Sequence, residues 1–140
     1  LDDMTLEQAV RALLRELELE RHGIVTRLEW QLADSDLSDA QRVTLFRVCQ
    51  EGLNNVVKHA NASSVTIRAH RQGERLTLLL EDDGCGLPPD FDLASGNSLG
   101  KRLIRSLVKQ LNGQVQFTSA QPGTRVLLTL PLPARKESGT

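Results

Sequence analysis

Apolar residues recur along this chain at two spacings, and the switches between them divide it into successive elements. Leu6, Ala9, Val10, Leu13, Leu14 and Leu17 keep the three-to-four spacing of one helix face. Thr5 with Gln8 three residues on predicts a capping box at its start, and Gly23 predicts its stop. From Ile24 the period drops to two: Ile24, Thr26, Leu28, Trp30 and Leu32 alternate with Val25, Arg27, Glu29 and Gln31, as in a half-buried strand. Asp34 to Asp36 read as a turn. Helical spacing returns from about Ser38 to Ala60, with Leu45, Val48, Cys49, Gly52, Leu53, Val56 and Ala60 on one side. Two strands follow around the Gln72–Gly73 turn, one alternating through Val65, Ile67 and Ala69, the next through Leu76, Leu78 and Leu80. Residues 84–98, rich in Gly, Pro, Asp and Ser, have neither period and read as a loop of the length that serves as a functional lid or is a disordered segment. A helix with the apolar stripe Leu99, Leu103, Ile104, Leu107, Val108 and Leu111 ends at Asn112–Gly113. Val115 and Phe117, then Val126, Leu128 and Leu130, make two last strands around Pro122–Gly123, before a polar tail at 134–140. The expected fold is α+β: a two-layer α/β sandwich, its mixed, mainly antiparallel sheet carrying the helices on one face.

Composition narrows the function more by exclusion than by assertion. At 140 residues, 39% hydrophobic and 25% charged, the chain suits one globular domain, placed at 1–133. A net charge of -1 and four aromatic residues, Trp30, Phe46, Phe91 and Phe117, argue against nucleic acid as a partner. Cys49 and Cys85 have no neighbours at metal-ligand spacing and are read as free thiols of a reducing compartment.

The stretch EGLNNVVKHA, residues 51–60, changes the picture. Glu51, Asn55 and Lys58 stand at i, i+4 and i+7, so an ideal α-helix projects all three from its polar side. A solvated helix face has the same pattern, so the assignment depends on what stands opposite. Asp82 falls in phase with Leu76, Leu78 and Leu80, which puts a carboxylate on the buried side at a strand's end. A charge there is costly unless it is hydrogen-bonded or faces a ligand. Beyond the loop, Gly96-Asn97-Ser98-Leu99-Gly100 opens a helix, and glycines before a helix N-terminus offer N–H groups to phosphate oxygens. An amide oxygen suits Mg²⁺, a lysine neutralises phosphate charge, and a carboxylate beside them can activate an attacking group. Together these residues describe a nucleotide site.

With RVTLFRVCQEGLNNVVKHANA and LEDDGCGLPP in view, the chain resembles the ATP-binding catalytic domain of sensor histidine kinases, in the superfamily shared by gyrase, Hsp90 and MutL. Those two stretches look most like the subfamily that senses hexose phosphates and nitrate. The resemblance implies a Bergerat-type fold and the cofactors ATP and Mg²⁺. It implies that Asn55 ligates the metal, that Glu51 activates the acceptor and that Lys58 and His59 flank the phosphates. It further implies that Asp82 binds the adenine amino group, with Gly84 and Gly86 shaping the pocket floor and Thr124 reaching the base through water. Gly96, Ser98, Leu99 and Gly100 would form the second glycine box, and 84–98 the ATP lid. There Ser98 stands where the family's Gly-x-Gly-Leu has its second glycine. The following SLGKRLIRSLVKQLNG resembles other histidine-kinase subfamilies, since an arginine-rich Gly-Met-Arg-Glu-Arg stretch is usual in the one the first half resembles.

None of the three histidines, His22, His59 and His70, opens a long helix of the kind that carries the family's phospho-acceptor. The acceptor is therefore expected on a separate dimerisation domain, with residues 1–22 as the junction and a response regulator as the later partner. The resemblance also implies a cytoplasmic domain whose parent is anchored in the bacterial inner membrane, this segment making no membrane contact of its own. Three other functions stay open at this point: an ATP-binding module without turnover, an anti-sigma-type serine kinase, and an ATP-gated dimerisation clamp.

Overall fold

Helix α2, Asp39–Asn55, organises the molecule. Ser38 caps it: the Gln41 N–H donates to Ser38 Oγ at 3.1 Å and the Ser38 N–H to Gln41 Oε1 at 2.9 Å, a closed capping box. Leu45, Val48, Cys49, Leu53 and Val56 are buried along one side, as their spacing requires. The computed structural model describes residues 4–84, 99–119 and 123–133.

Around α2 lie helix α1 (Leu6–Glu16), helix α3 (Leu99–Gln110) and strands β1 (Val25–Gln31), β2 (Ser64–Gln72), β3 (Arg75–Asp82), β4 (Gln114–Ser119) and β5 (Thr124–Pro131). The strands form one sheet in the order β1-β2-β3-β5-β4. β1 and β2 pair in parallel, with α2 in the crossover between them, and the other pairs are antiparallel. Leu76, Leu78 and Leu80 of β3 stand opposite Leu130, Leu128 and Val126 of β5, and all six are buried under the helices. The α+β sandwich expected from the periodicity is the observed fold.

Three local expectations are corrected. The first helix ends at Glu16 rather than at Gly23: Glu18 turns left-handed at φ 54°, and a short 3₁₀ helix, Leu19–His22, carries the chain to Gly23. The cause is packing, because the break lets Leu19 enter the core. Leu103 is not part of the buried stripe of α3: it is 43% exposed, while Ile104 and Val108 are buried and Leu107 and Leu111 half-buried. The third lies at the end of α2, where residues Val56–Ala60 form a π-helical turn instead of continuing the α-helix. The Asn112–Gly113 stop holds, with Asn112 left-handed at φ 58° and the Gly113 N–H reaching back to the Val108 carbonyl at 3.0 Å.

Two contacts set the direction of α2 across the sheet. Gln41 Nε2 donates to the carbonyl of Pro131, which pairs with Arg75 at the start of β3. Eleven residues on, Gly52 presses on Leu80, so closely that a Cβ there would lie 2.9 Å from Leu80 Cδ1. Eleven helical residues and five strand residues both span ~16 Å, so α2 runs alongside β3 and in the same direction. The end of α2 that bears Asn55 is thereby delivered to the end of β3 that bears Asp82.

Candidate functional site

Asp82 is the anchor of that end. It continues the buried phase of β3 and is only 6% exposed. Its Oδ1 accepts the Gly84 N–H at 2.8 Å, and the Thr124 backbone N–H also donates to the carboxylate. Burial raises its pKa above the usual carboxylate value; the two backbone donors oppose that shift, and the charges of Asp83 and Glu81 add to it. A carboxylate held this way, half-satisfied by the backbone at the mouth of a core, is suited to accept a further N–H from a ligand.

Thr124 faces Asp82 directly across the β3–β5 pair, and Gly123 makes that approach possible. Gly123 is buried with φ 100°, and a Cβ on it would lie 1.8 Å from the Asp82 carbonyl oxygen. Only glycine fits between these two backbones. Gly84 is described at the end of β3, whereas Gly86, Gly96 and Ser98 lie outside the described residues, together with Cys85 and the rest of the loop. Leu99 and Gly100 form the first turn of α3.

On the helical wall, Glu51 and Asn55 are half-buried near the end of α2, and Lys58 is exposed in the π turn beyond them. A π turn advances each residue by less rotation than an α turn, so Lys58 is turned off the line that i, i+4, i+7 spacing drew through Glu51 and Asn55. The correction concerns orientation alone: all three still belong to the end of the helix that meets Asp82. The backbone of His59 lies in the same turn.

One residue at this strand end was given no role from sequence. Asp83 points away from the core, and its carboxylate accepts three hydrogen bonds: the Ser63 N–H at 2.8 Å, the Ser64 N–H at 2.9 Å and the Ser63 hydroxyl at 2.6 Å. These bonds, led by the hydroxyl of Ser63, lower its pKa from the usual value to about 2. Adjacent aspartates thus sit in opposite states, one pushed up by burial and one held down by donors. A signal was present in the doubled aspartate at a strand end and in the serine pair before a strand, but the register that joins them spans twenty residues.

Comparison with known proteins accords with this arrangement. Residues 40–134 match the family described as histidine kinase-, DNA gyrase B- and HSP90-like ATPase. The signal transduction histidine-protein kinase/phosphatase UhpB of Salmonella typhimurium is 54% identical over 131 residues, which is 94% of this chain and 25% of that protein. The sensor histidine kinase PdtaS of Mycobacterium tuberculosis is 36% identical over 113 residues, 75% of this chain and 23% of that one. Among solved structures, the histidine kinase domain of a blue-light-activated histidine kinase from Erythrobacter litoralis superposes with a TM-score of 0.78 at 27% identity, covering 91% of this chain and 59% of that one. The chain therefore spans about a quarter of the length of these curated relatives. With the asparagine-bearing helix, the buried strand-end aspartate and the sheet order all in place, the chain belongs to the histidine kinase-, DNA gyrase B- and HSP90-like ATPase family, as a catalytic domain of the sensor histidine kinase type.

Proposed function

We propose that this domain binds Mg·ATP and passes the γ-phosphoryl group to a histidine on a separate dimerisation domain, from which a response regulator takes it. The observation that carries this reading is Asp82, a buried carboxylate whose pKa burial raises, at the end of β3 toward which the Asn55 end of α2 runs. Asp82 accepts the adenine amino group, with Gly84 and Gly86 under the base and Thr124 reaching it through water. Asn55 supplies an amide oxygen for Mg²⁺, and the ion would neutralise the phosphates and orient the terminal one.

Lys58 and His59 carry positive charge or donors to the phosphates, while Glu51 accepts the proton of the attacking imidazole. Gly96, Ser98, Leu99 and Gly100 present backbone N–H groups at the start of α3. The rate enhancement arises from alignment and charge neutralisation rather than from covalent chemistry on this chain. Residues 1–22 lead in from the dimerisation domain, 84–98 form the lid and 134–140 a tail. No described helix is long and apolar enough to cross a membrane. The domain works on the cytoplasmic side of a parent anchored in the inner membrane.

The test is a titration with a fluorescent ATP analogue, with and without Mg²⁺, followed by phosphotransfer to an acceptor-helix domain supplied in trans. Asn55→Ala is expected to abolish the Mg²⁺-dependent part of binding and all phosphotransfer. Undiminished transfer by that variant would overturn the assignment, and an acid-stable phosphoprotein would point to a serine acceptor instead.

A further inference from the structure

The ladder between β2 and β3 ends at the Val65–Asp82 pair. The carboxylate of Asp83 reaches past that last rung to Ser63 and Ser64, the residues through which the chain leaves the π turn and enters β2. Only Asn61, left-handed at φ 50°, and Ala62 separate the π turn from Ser63. Ser63 is held on its other side as well, its carbonyl accepting the Val25 N–H at 2.9 Å. A π turn has poorer hydrogen-bond geometry than an α turn and persists where its surroundings hold it. Here the exit is tied to the residue beside the buried aspartate by three hydrogen bonds to the Asp83 carboxylate and by the Asp83 N–H, which donates to the Ser64 carbonyl at 3.3 Å. The entrance is tied by the packing of Gly52 on Leu80.

We infer that Asp83 is a positioning residue of the nucleotide site: through Ser63 and Ser64 it fixes the π turn, and so sets where Lys58 stands relative to Asp82. This rests on the nucleotide assignment above and extends it, because that assignment gives Asp83 no contact with the nucleotide. The adenine end of the pocket belongs to Asp82, Gly84 and Thr124, whose contacts do not pass through the Asp83 carboxylate. The phosphate end depends on the π turn. Loss of the clamp therefore weakens the phosphate end selectively, which a general loss of structure would not do.

The experiment compares ATP and adenosine binding by NMR titration of this 140-residue chain, its Asp83→Ala, Asp83→Asn and Ser63→Ala variants, and Lys58→Ala with and without Asp83→Ala. Asp83→Ala is expected to weaken ATP about tenfold, equivalent to ~1.4 kcal/mol, and adenosine less than about twofold. Asp83→Asn restores near-normal affinity, because its oxygen still accepts the backbone N–H groups and its amide can donate to the Ser63 hydroxyl. Ser63→Ala, which keeps both backbone bonds and is the milder change to the fold, weakens ATP about two- to fourfold, the size of one lost hydrogen bond. In the Lys58→Ala background the Asp83 substitution weakens ATP by clearly less than its tenfold, by only the part that His59 of the same turn carries. Equal weakening of adenosine and ATP, or additive effects of Lys58→Ala and Asp83→Ala, would overturn the inference while leaving the nucleotide assignment intact. Failure of the unsubstituted chain to bind ATP would overturn both.

Discussion

Replacing Gly123 by alanine probes the contact on which the adenine end of the site is built. The new Cβ would lie 1.8 Å from the Asp82 carbonyl oxygen, 2.6 Å from its carbon and 2.9 Å from Asp83 Cα. Non-bonded heavy atoms settle at ~3.5 Å, so the two backbones must part by about 1.5 Å. All three atoms are main chain, so no side-chain rotation relieves the clash. Parting them pulls the Thr124 N–H off the Asp82 carboxylate and opens the last rung of the β3–β5 ladder. One or two lost hydrogen bonds cost ~0.5–1.5 kcal/mol each, and a non-glycine residue at φ 100° adds ~1–3 kcal/mol of backbone strain. The sum is about 1.5–6 kcal/mol, which for a domain of this size lowers Tm by ~5–20 °C. Gly73→Ala is the control: its φ of 62° is also left-handed, but nothing lies within 4 Å of the added methyl, so it carries only the strain, ~1–2 kcal/mol. Thermal unfolding followed by circular dichroism reads both, and nucleotide titration reads the site. Equal drops in Tm for the two variants would show that strain alone matters at Gly123 and that its close approach to Asp82 is unimportant.

Three further outcomes follow from the ionisable groups. Because burial raises the pKa of Asp82, its ionised form is the less stable one in the folded state; its favourable contribution is complete below the unfolded pKa and is lost as pH rises through the folded value. Asp82→Asn, which keeps an oxygen for the Gly84 N–H, should therefore match or exceed the parent Tm at pH 7 while losing nucleotide affinity, and its advantage should fade near pH 4; a variant several degrees less stable at pH 7 would contradict this. Asp83 has the opposite sign: with a folded pKa of about 2, its contribution is present above the usual value of 3.8 and disappears as pH falls toward 2, a decline that Asp83→Ala should lack in acid unfolding curves. Cys49, fully buried, has its thiol pushed up to about 12, so in a Cys85→Ser background it should not react with an aromatic disulfide reagent at pH 8 until the domain unfolds; prompt reaction in the native state would refute the burial.

Much of the architecture was legible because its causes are local. Period three-to-four against period two separates helices from strands wherever one side is buried, and capping residues mark where helices begin. The Thr5–Gln8 box is present as read, with both of its hydrogen bonds formed. Asp82 could be singled out because a strand alternates strictly, so a carboxylate in step with Leu76, Leu78 and Leu80 must point the same way as they do. Leu103 shows the limit of the same method: helical spacing allows a residue to face the core, but the width of the buried stripe depends on what the helix packs against.

The amino-acid sequence by itself determined which elements form, which side of each is apolar, and that an asparagine helix and a strand-end aspartate share one chain. Tertiary structure decided what meets. The travel of α2 along β3 brings the Asn55 end of the helix toward the Asp82 end of the strand, and the passage of Gly123 against Asp82 depends on strands 41 residues apart in sequence lying side by side. The π turn and the clamp of Asp83 on Ser63 likewise have no periodic signature. A hydrophobic period reports the burial of one element at a time, whereas hydrogen bonds between distant residues exist only after the sheet has set its register.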